Sequence, residues 1–145
     1  MIKHAFQFAL FALFAIATSS AANAAASIDG YSPVAYFTEN QAVLGDPAYA
    51  AEHEGQTYYF QNEEEVEMFN ADPDKYAPRY STCAYSLALG QTAPLDPTNF
   101  KVVGGHLLLF HKSDSVDARA LFESSELTEE ELLERADREY QLLEF

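Results

Sequence analysis

The chain has 145 residues and a formal net charge of −15 at pH 7, from 23 acidic and 8 basic side chains, with one cysteine and no tryptophan. So acidic a surface repels phosphate groups, which are held by Lys and Arg; nucleic acid and anionic lipid are poor partners, and cations or a basic protein suit it better. The length suits one domain plus its termini, and a lone cysteine closes no internal disulfide, so stability rests on an apolar core that 11 Phe and 9 Tyr can supply.

Residues 1–24 read as a secretory signal peptide. Lys3 supplies a positive start, Ala5 to Thr18 is apolar, and Ala22-Asn23-Ala24 offers a small-x-small cleavage pattern, with Ala24-Ala25-Ala26 as a nearby alternative. The apolar run is shorter than the roughly 20 residues that span a bilayer. No cysteine near the cleavage site could carry a lipid anchor. The expectation is an exported protein, periplasmic or secreted, with no membrane attachment after cleavage. Loss of Lys3 would take its formal charge from −15 to −16.

Gly30 to Phe37 reads as a Gly/Ser/Pro turn entering a short β-prone segment. Gly45-Asp46-Pro47 marks another turn, and Tyr49 to Phe60 reads as a hairpin about Glu54-Gly55. Pairing across that turn places Tyr49, Ala51, His53, Gln56, Tyr58 and Phe60 on one face, expected to be the buried one. Asn62 followed by Glu65 resembles a capping box opening a short helix that ends near Asp72-Pro73. Glu63, Glu64 and Glu65 fall in its first turn, where negative charge is favoured.

The stretch from Asp72 to Gly90 holds the only cysteine. Pro73 and Pro78 break the backbone ahead of Cys83, and a run of helix formers closed by Gly90 follows it. Cys83 is therefore expected at or near a helix N-terminus, where aligned N–H groups favour a thiolate. The residue alone is compatible with a buried apolar group, a free thiol, a metal ligand or half of an intermolecular bridge. Tyr76, Tyr80 and Tyr85 read as core aromatics with one wet end.

Beyond the rigid Ala93-Pro94-Leu95-Asp96-Pro97, Phe100 to Phe110 is a hairpin turning on Gly104-Gly105. Alternation puts Phe100, Val102, Leu107 and Leu109 on a core face, and Lys101, Val103, His106, Leu108 and Phe110 on a mixed one. From Ser113 helix formers dominate. Thr128 and Glu131 form a capping box, Leu133, Ala136, Tyr140 and Leu143 make an apolar stripe, and Glu131–Arg135 and Glu134–Arg138 are i,i+4 pairs. The elements add up to an α+β fold: a small antiparallel sheet of hairpins, short helices and a C-terminal amphipathic helix.

Gly30-Tyr31-Ser32-Pro33-Val34-Ala35-Tyr36-Phe37, Gly55 to Phe60, Asp72 to Pro78 and Cys83 to Gly90, in this order, resemble the exported bacterial YHS domain-containing proteins. Asp96-Pro97, Val102-Val103 and Ala136-Asp137 fit that family's C-terminal part. The resemblance implies a YHS-like domain over 28–112, with 113–145 as a helical extension packing on it. It also implies a small α+β fold and metal binding through the motif cysteine, here Cys83, while no enzymatic activity is implied for the exported members; copper or zinc are the candidate ions.

A closed structural zinc site would need four Cys or His ligands at short paired spacings, and the chain has no Cys-x-x-Cys. A soft ion such as Cu(I) accepts fewer ligands, Cys83 with Met68 or a histidine. His53, His106 and His111 otherwise read as solvated rim residues. Nucleophilic catalysis would need a base beside the thiol and a group to orient it, and no such signature is present. Two readings follow: a metal-handling module acting through Cys83, or a non-catalytic interaction module in which a buried Cys83 is structural. Intact-mass measurement of the exported protein is expected to show residues 1–24, or 1–26, missing; a full-length, membrane-retained product would refute export.

Overall fold

The computed structural model describes residues 25–143, so the expected signal peptide lies outside the described residues. The chain forms a short 3-10 turn (Ser27–Gly30), α1 (Ala35–Thr38), β1 (Asp46–His53), β2 (Gln56–Phe60), α2 (Glu63–Ala71), α3 (Pro73–Tyr76), α4 (Ala84–Ala88), β3 (Asp96–Val103), β4 (His106–Phe110), α5 (Ala118–Glu123) and α6 (Glu129–Leu143). The class is α+β. Its strands form two separate antiparallel pairs, β1–β2 and β3–β4.

The segment expected to be β-prone contains α1 instead. Pro33 stands just ahead of the helix, where its missing N–H costs nothing, and the Ser32 hydroxyl accepts from the Ala35 N–H at 3.4 Å. These helix-start signals outweigh the β-propensity of Val34, Tyr36 and Phe37. Downstream, a Cβ on Gly45 would stand 2.4 Å from the Tyr59 carbonyl carbon, so only glycine lets the chain run this close to β2.

The first hairpin turns on Glu54-Gly55, with His53 opposite Gln56. Tyr58 and Phe60 face inward and are buried against Val34, Phe69 and Tyr76. Tyr49, expected beside them, is exposed, because the register shifts between Asp46 and Ala50 and removes it from the alternation. Gln56 also faces solvent at the turn.

Asn62 caps α2 by accepting from the Glu65 N–H at 2.9 Å. Only this half of the expected box forms. The Glu65 carboxylate is buried and accepts instead from the Gln61 N–H (2.8 Å), the Gln61 side chain (2.7 Å) and the Ser32 hydroxyl (2.7 Å). It fastens the start of α2 to the turn before α1. The one-turn α3 begins with Pro73 at its N-terminus, a position that suits proline.

The second hairpin turns on Gly104-Gly105 with Val103 opposite His106. Its expected core face packs as read: Leu107 and Leu109 with Tyr36, flanked by Phe100 and Val102. The other face is core as well. Leu108 and Phe110 are fully buried among Leu87, Phe122 and Leu132 from α4, α5 and α6. A strand covered on both sides reads as a continuous apolar run, as Leu107-Leu108-Leu109-Phe110 does. His106, beside the turn, is exposed.

The Thr128–Glu131 capping box is complete: the Glu131 N–H donates to the Thr128 hydroxyl at 3.2 Å and the Thr128 N–H to the Glu131 carboxylate at 2.8 Å. The inward ridge of α6 is Leu132 and Ala136, with Leu133 and Tyr140 at its flanks and Leu143 54% exposed. The apolar stripe is thus shorter and rotated from the expected one, because α4, at five residues, covers only one i,i+4 ridge. Glu131–Arg135 and Glu134–Arg138 do not close as ion pairs; Glu131 is committed to its cap. Among the described residues Arg119–Glu123 is the i,i+4 pair that closes, at 3.1 Å.

The two-sided burial of β4 has a direct test by chemical denaturation. Leu108→Ala and Leu107→Ala are each expected to cost about 2–5 kcal/mol, and the exposed His106→Ala to stay within about 0.5 kcal/mol. A mild Leu108→Ala would mean that only one face of the hairpin is core.

Candidate functional site

The segment from Pro73 to Gly90 packs against α2, β4, α5 and α6. The Arg79 N–H donates to the Leu107 carbonyl at 2.9 Å, pinning the loop after α3 to β4. The Arg79 guanidinium reaches the other way, donating from Nε (3.1 Å) and Nη2 (2.8 Å) to the two oxygens of Asp137 on α6. The Tyr80 hydroxyl donates to the same carboxylate at 2.7 Å. A planar fork meeting a carboxylate is the geometry that makes arginine pairs directional.

Burial alone would raise the Asp137 carboxyl, but the hydrogen bonds from Arg79 and Tyr80 outweigh it and hold the group below its ordinary value of 3.8. Burial, reinforced by the bond to Asp137, pushes the Tyr80 phenol well above its ordinary range. Tyr80 therefore remains a donor throughout the neutral range.

Thr82 is buried and exchanges two 3.0 Å hydrogen bonds with Ala93, one through each of that residue's backbone groups. Cys83 follows at the N-cap of α4, at the helix start where the sequence puts it. Its side chain makes no cap hydrogen bond. Its N–H donates to the Ala93 carbonyl (3.1 Å) and its carbonyl accepts from Leu87 (2.9 Å). Cys83 is 0% exposed and sits in the cluster formed by Tyr80, Leu87, Leu108, Phe110, Phe122 and Leu132. Met68, the thioether considered as its co-ligand, packs in a different cluster with Phe69 and Tyr76.

The histidines lie elsewhere. His53 Nε2 is 3.0 Å from Asp74 Oδ1, linking the β1–β2 turn to α3. His111 Nδ1 is 3.1 Å from the Pro94 carbonyl. Among the described residues one group of three His, Cys, Asp or Glu donors lies close enough to share an ion: His53, Glu54 and Asp74, within 4.8 Å of one another. Glu54 and Asp74 are exposed, and the His53–Asp74 hydrogen bond accounts for their approach. Cys83 is not in that group.

Two features escaped the sequence reading. The first is a charge asymmetry that counting could have found. Residues 25–78 carry eleven acidic side chains and a single basic one, Lys75, while twelve acidic and six basic side chains follow from Arg79 onward. Of those eleven acids only Glu65 is buried; the other ten are exposed. The second is a cavity of about 560 Å³ lined by Ile28, Glu54, Tyr58, Tyr80, Leu95 and Tyr140, with Ser27, Gln56, Ala77, Pro78 and Ser81 completing its wall. No sequence signal announces it, since its lining comes from five separated segments.

Asp137 predicts a pH dependence. A carboxylate whose folded value is depressed adds stability that is present above its unfolded value, near 3.8, and lost as pH falls through the lower folded one. Both partners are partly solvated, at 26% and 40% side-chain exposure, so Asp137→Asn is expected to cost about 1–2 kcal/mol at neutral pH. The variant's loss of stability below pH 3.8 is expected to be shallower than the parent's, read from denaturation midpoints. An unchanged acid limb would show that Asp137 does not hold α6 in place. Compared with protein-family models, curated proteins and solved structures, the chain matches none.

Proposed function

We propose that this chain is an exported, non-catalytic interaction module of YHS-like type, with Cys83 in a structural role and a basic protein as its partner. One observation carries the reading: the half of the chain from 25 to 78 displays ten exposed carboxylates against one exposed lysine, Lys75. Glu63, Glu64 and Glu67 stand out from α2, and Asp72 and Asp74 extend the same sign onto α3. Clustered charge of one sign steers an oppositely charged protein and speeds encounter.

The burial of Cys83 supports the structural role, since a thiol enclosed by aromatic and aliphatic side chains behaves as a small apolar residue. The order of the motifs from Gly30 to Gly90 supports the YHS-like assignment, and the apolar leader with its small-x-small pattern supports export.

Titration with a lysine-rich peptide, followed by amide NMR shifts, tests the proposal. Binding is expected to perturb α2 and α3 rather than α6, to weaken as salt rises, and to vanish in Glu63→Lys/Glu64→Lys/Glu67→Lys. Shifts spread evenly over both halves would overturn it. So would stoichiometric Cu(I) or Zn(II) binding that Cys83→Ser abolishes, which would favour the metal-handling reading.

A further inference from the structure

The cavity beside α6 goes beyond this reading. At about 560 Å³ it lies within the size range of small-molecule sites. Its walls are of two kinds. Ile28, Leu95 and the rings of Tyr58, Tyr80 and Tyr140 supply apolar and π surface, and Glu54 is the only carboxylate on the lining among the described residues. Among them no Lys, Arg or His lines it.

The tyrosines are held in place. Tyr80 and Tyr140 meet edge to face at 5.4 Å, and the Tyr80 hydroxyl spends its proton on Asp137, leaving oxygen lone pairs as its remaining hydrogen-bonding capacity. Tyr140 donates to Ser81 at 3.4 Å. The site thus offers acceptors, π faces and one negative charge beside the Ser27, Gln56 and Ser81 side chains, which donate as well as accept, in a protein of net charge −15. The π faces and the carboxylate attract a cation, and the carboxylate repels an anion.

The backbone adds an independent observation. Among the described residues Ile28, at φ 49°, lines this cavity in the left-handed region, whereas the 50° of Glu54 is what the two-residue Glu54-Gly55 turn requires. A β-branched residue in the left-handed region is a conformational outlier. Such strain persists only where the surroundings enforce it, and it concentrates at ligand clamps and active sites.

We propose that the cavity between Ile28, Glu54 and the three tyrosines binds a small organic ammonium ion with an aromatic or alicyclic body. The body lies against Ile28, Leu95 and the tyrosine rings, and the ammonium group is neutralised by Glu54.

Calorimetric titration of protein purified from cells expressing the full chain tests this, with 2-phenylethylammonium as probe and phenylacetate as its anionic counterpart. Saturable binding of the amine, and none of the acid, is expected. Glu54→Gln, at an exposed turn position, is expected to weaken the amine roughly tenfold with an unchanged melting temperature. Ser81→Phe, which fills the cavity from an exposed position, is expected to abolish binding. The proposal is overturned if the acid binds as well as the amine, if both variants bind like the parent, or if the amine gives no saturable heat.

Discussion

One carboxylate ties together three elements distant in sequence. Asp137 accepts from both arms of the Arg79 fork and from the Tyr80 hydroxyl, while the Arg79 backbone N–H is bonded to Leu107. Three elements distant in sequence, namely β4, the loop after α3 and α6, are therefore fixed relative to one another by adjacent residues. The pairing is directional where the surrounding apolar packing is not, so it holds α6 against the loop after α3. Two features accompany this placement. Leu132 and Ala136 close the core over Cys83, and Tyr140 is brought to the edge of the cavity.

A second buried carboxylate organises the other end. Glu65 gathers hydrogen bonds from Gln61 and Ser32, so that the start of α2 is tied to the turn before α1. Its burial is tolerable because every buried side-chain nitrogen and oxygen among the described residues has a partner. The remaining acids of this half of the chain face water, and three of them also make hydrogen bonds: Asp74 with His53, Glu39 with the Gln61 side chain and Asp46 with the Ala48 N–H. Surface charge contributes little to stability, so these ten exposed carboxylates add little to the fold.

Cys83 shows how position and environment separate. Pro78 upstream and Gly90 downstream delimit a helix, and the cysteine stands at its start. What surrounds the sulfur is decided by β4, α5 and α6, which bring apolar side chains to it and leave Met68 in another cluster. The aromatic content expected around this stretch is there, but the tyrosines serve two different ends: Tyr76 completes the core under the first hairpin, and Tyr80 joins the clamp on Asp137.

The sequence by itself determined the features governed by neighbours in the chain. Both hairpin turns, the Asn62 and Thr128 caps, the stop at Asp72-Pro73 and the helix after Cys83 all stand where local chemistry puts them, because turns and caps depend on residues three or four apart. It failed where two local signals competed, as at Ser32-Pro33 against the β-formers that follow, and where a register shift freed Tyr49 from its alternation. Tertiary structure alone decided the second buried face of β4, the ridge of α6 that turns inward, the surroundings of Cys83 and the cavity that Ile28, Glu54, Tyr58, Tyr80 and Tyr140 share. Each of these joins residues tens of positions apart, and such meetings are settled by the packing of whole elements rather than by any spacing along the chain.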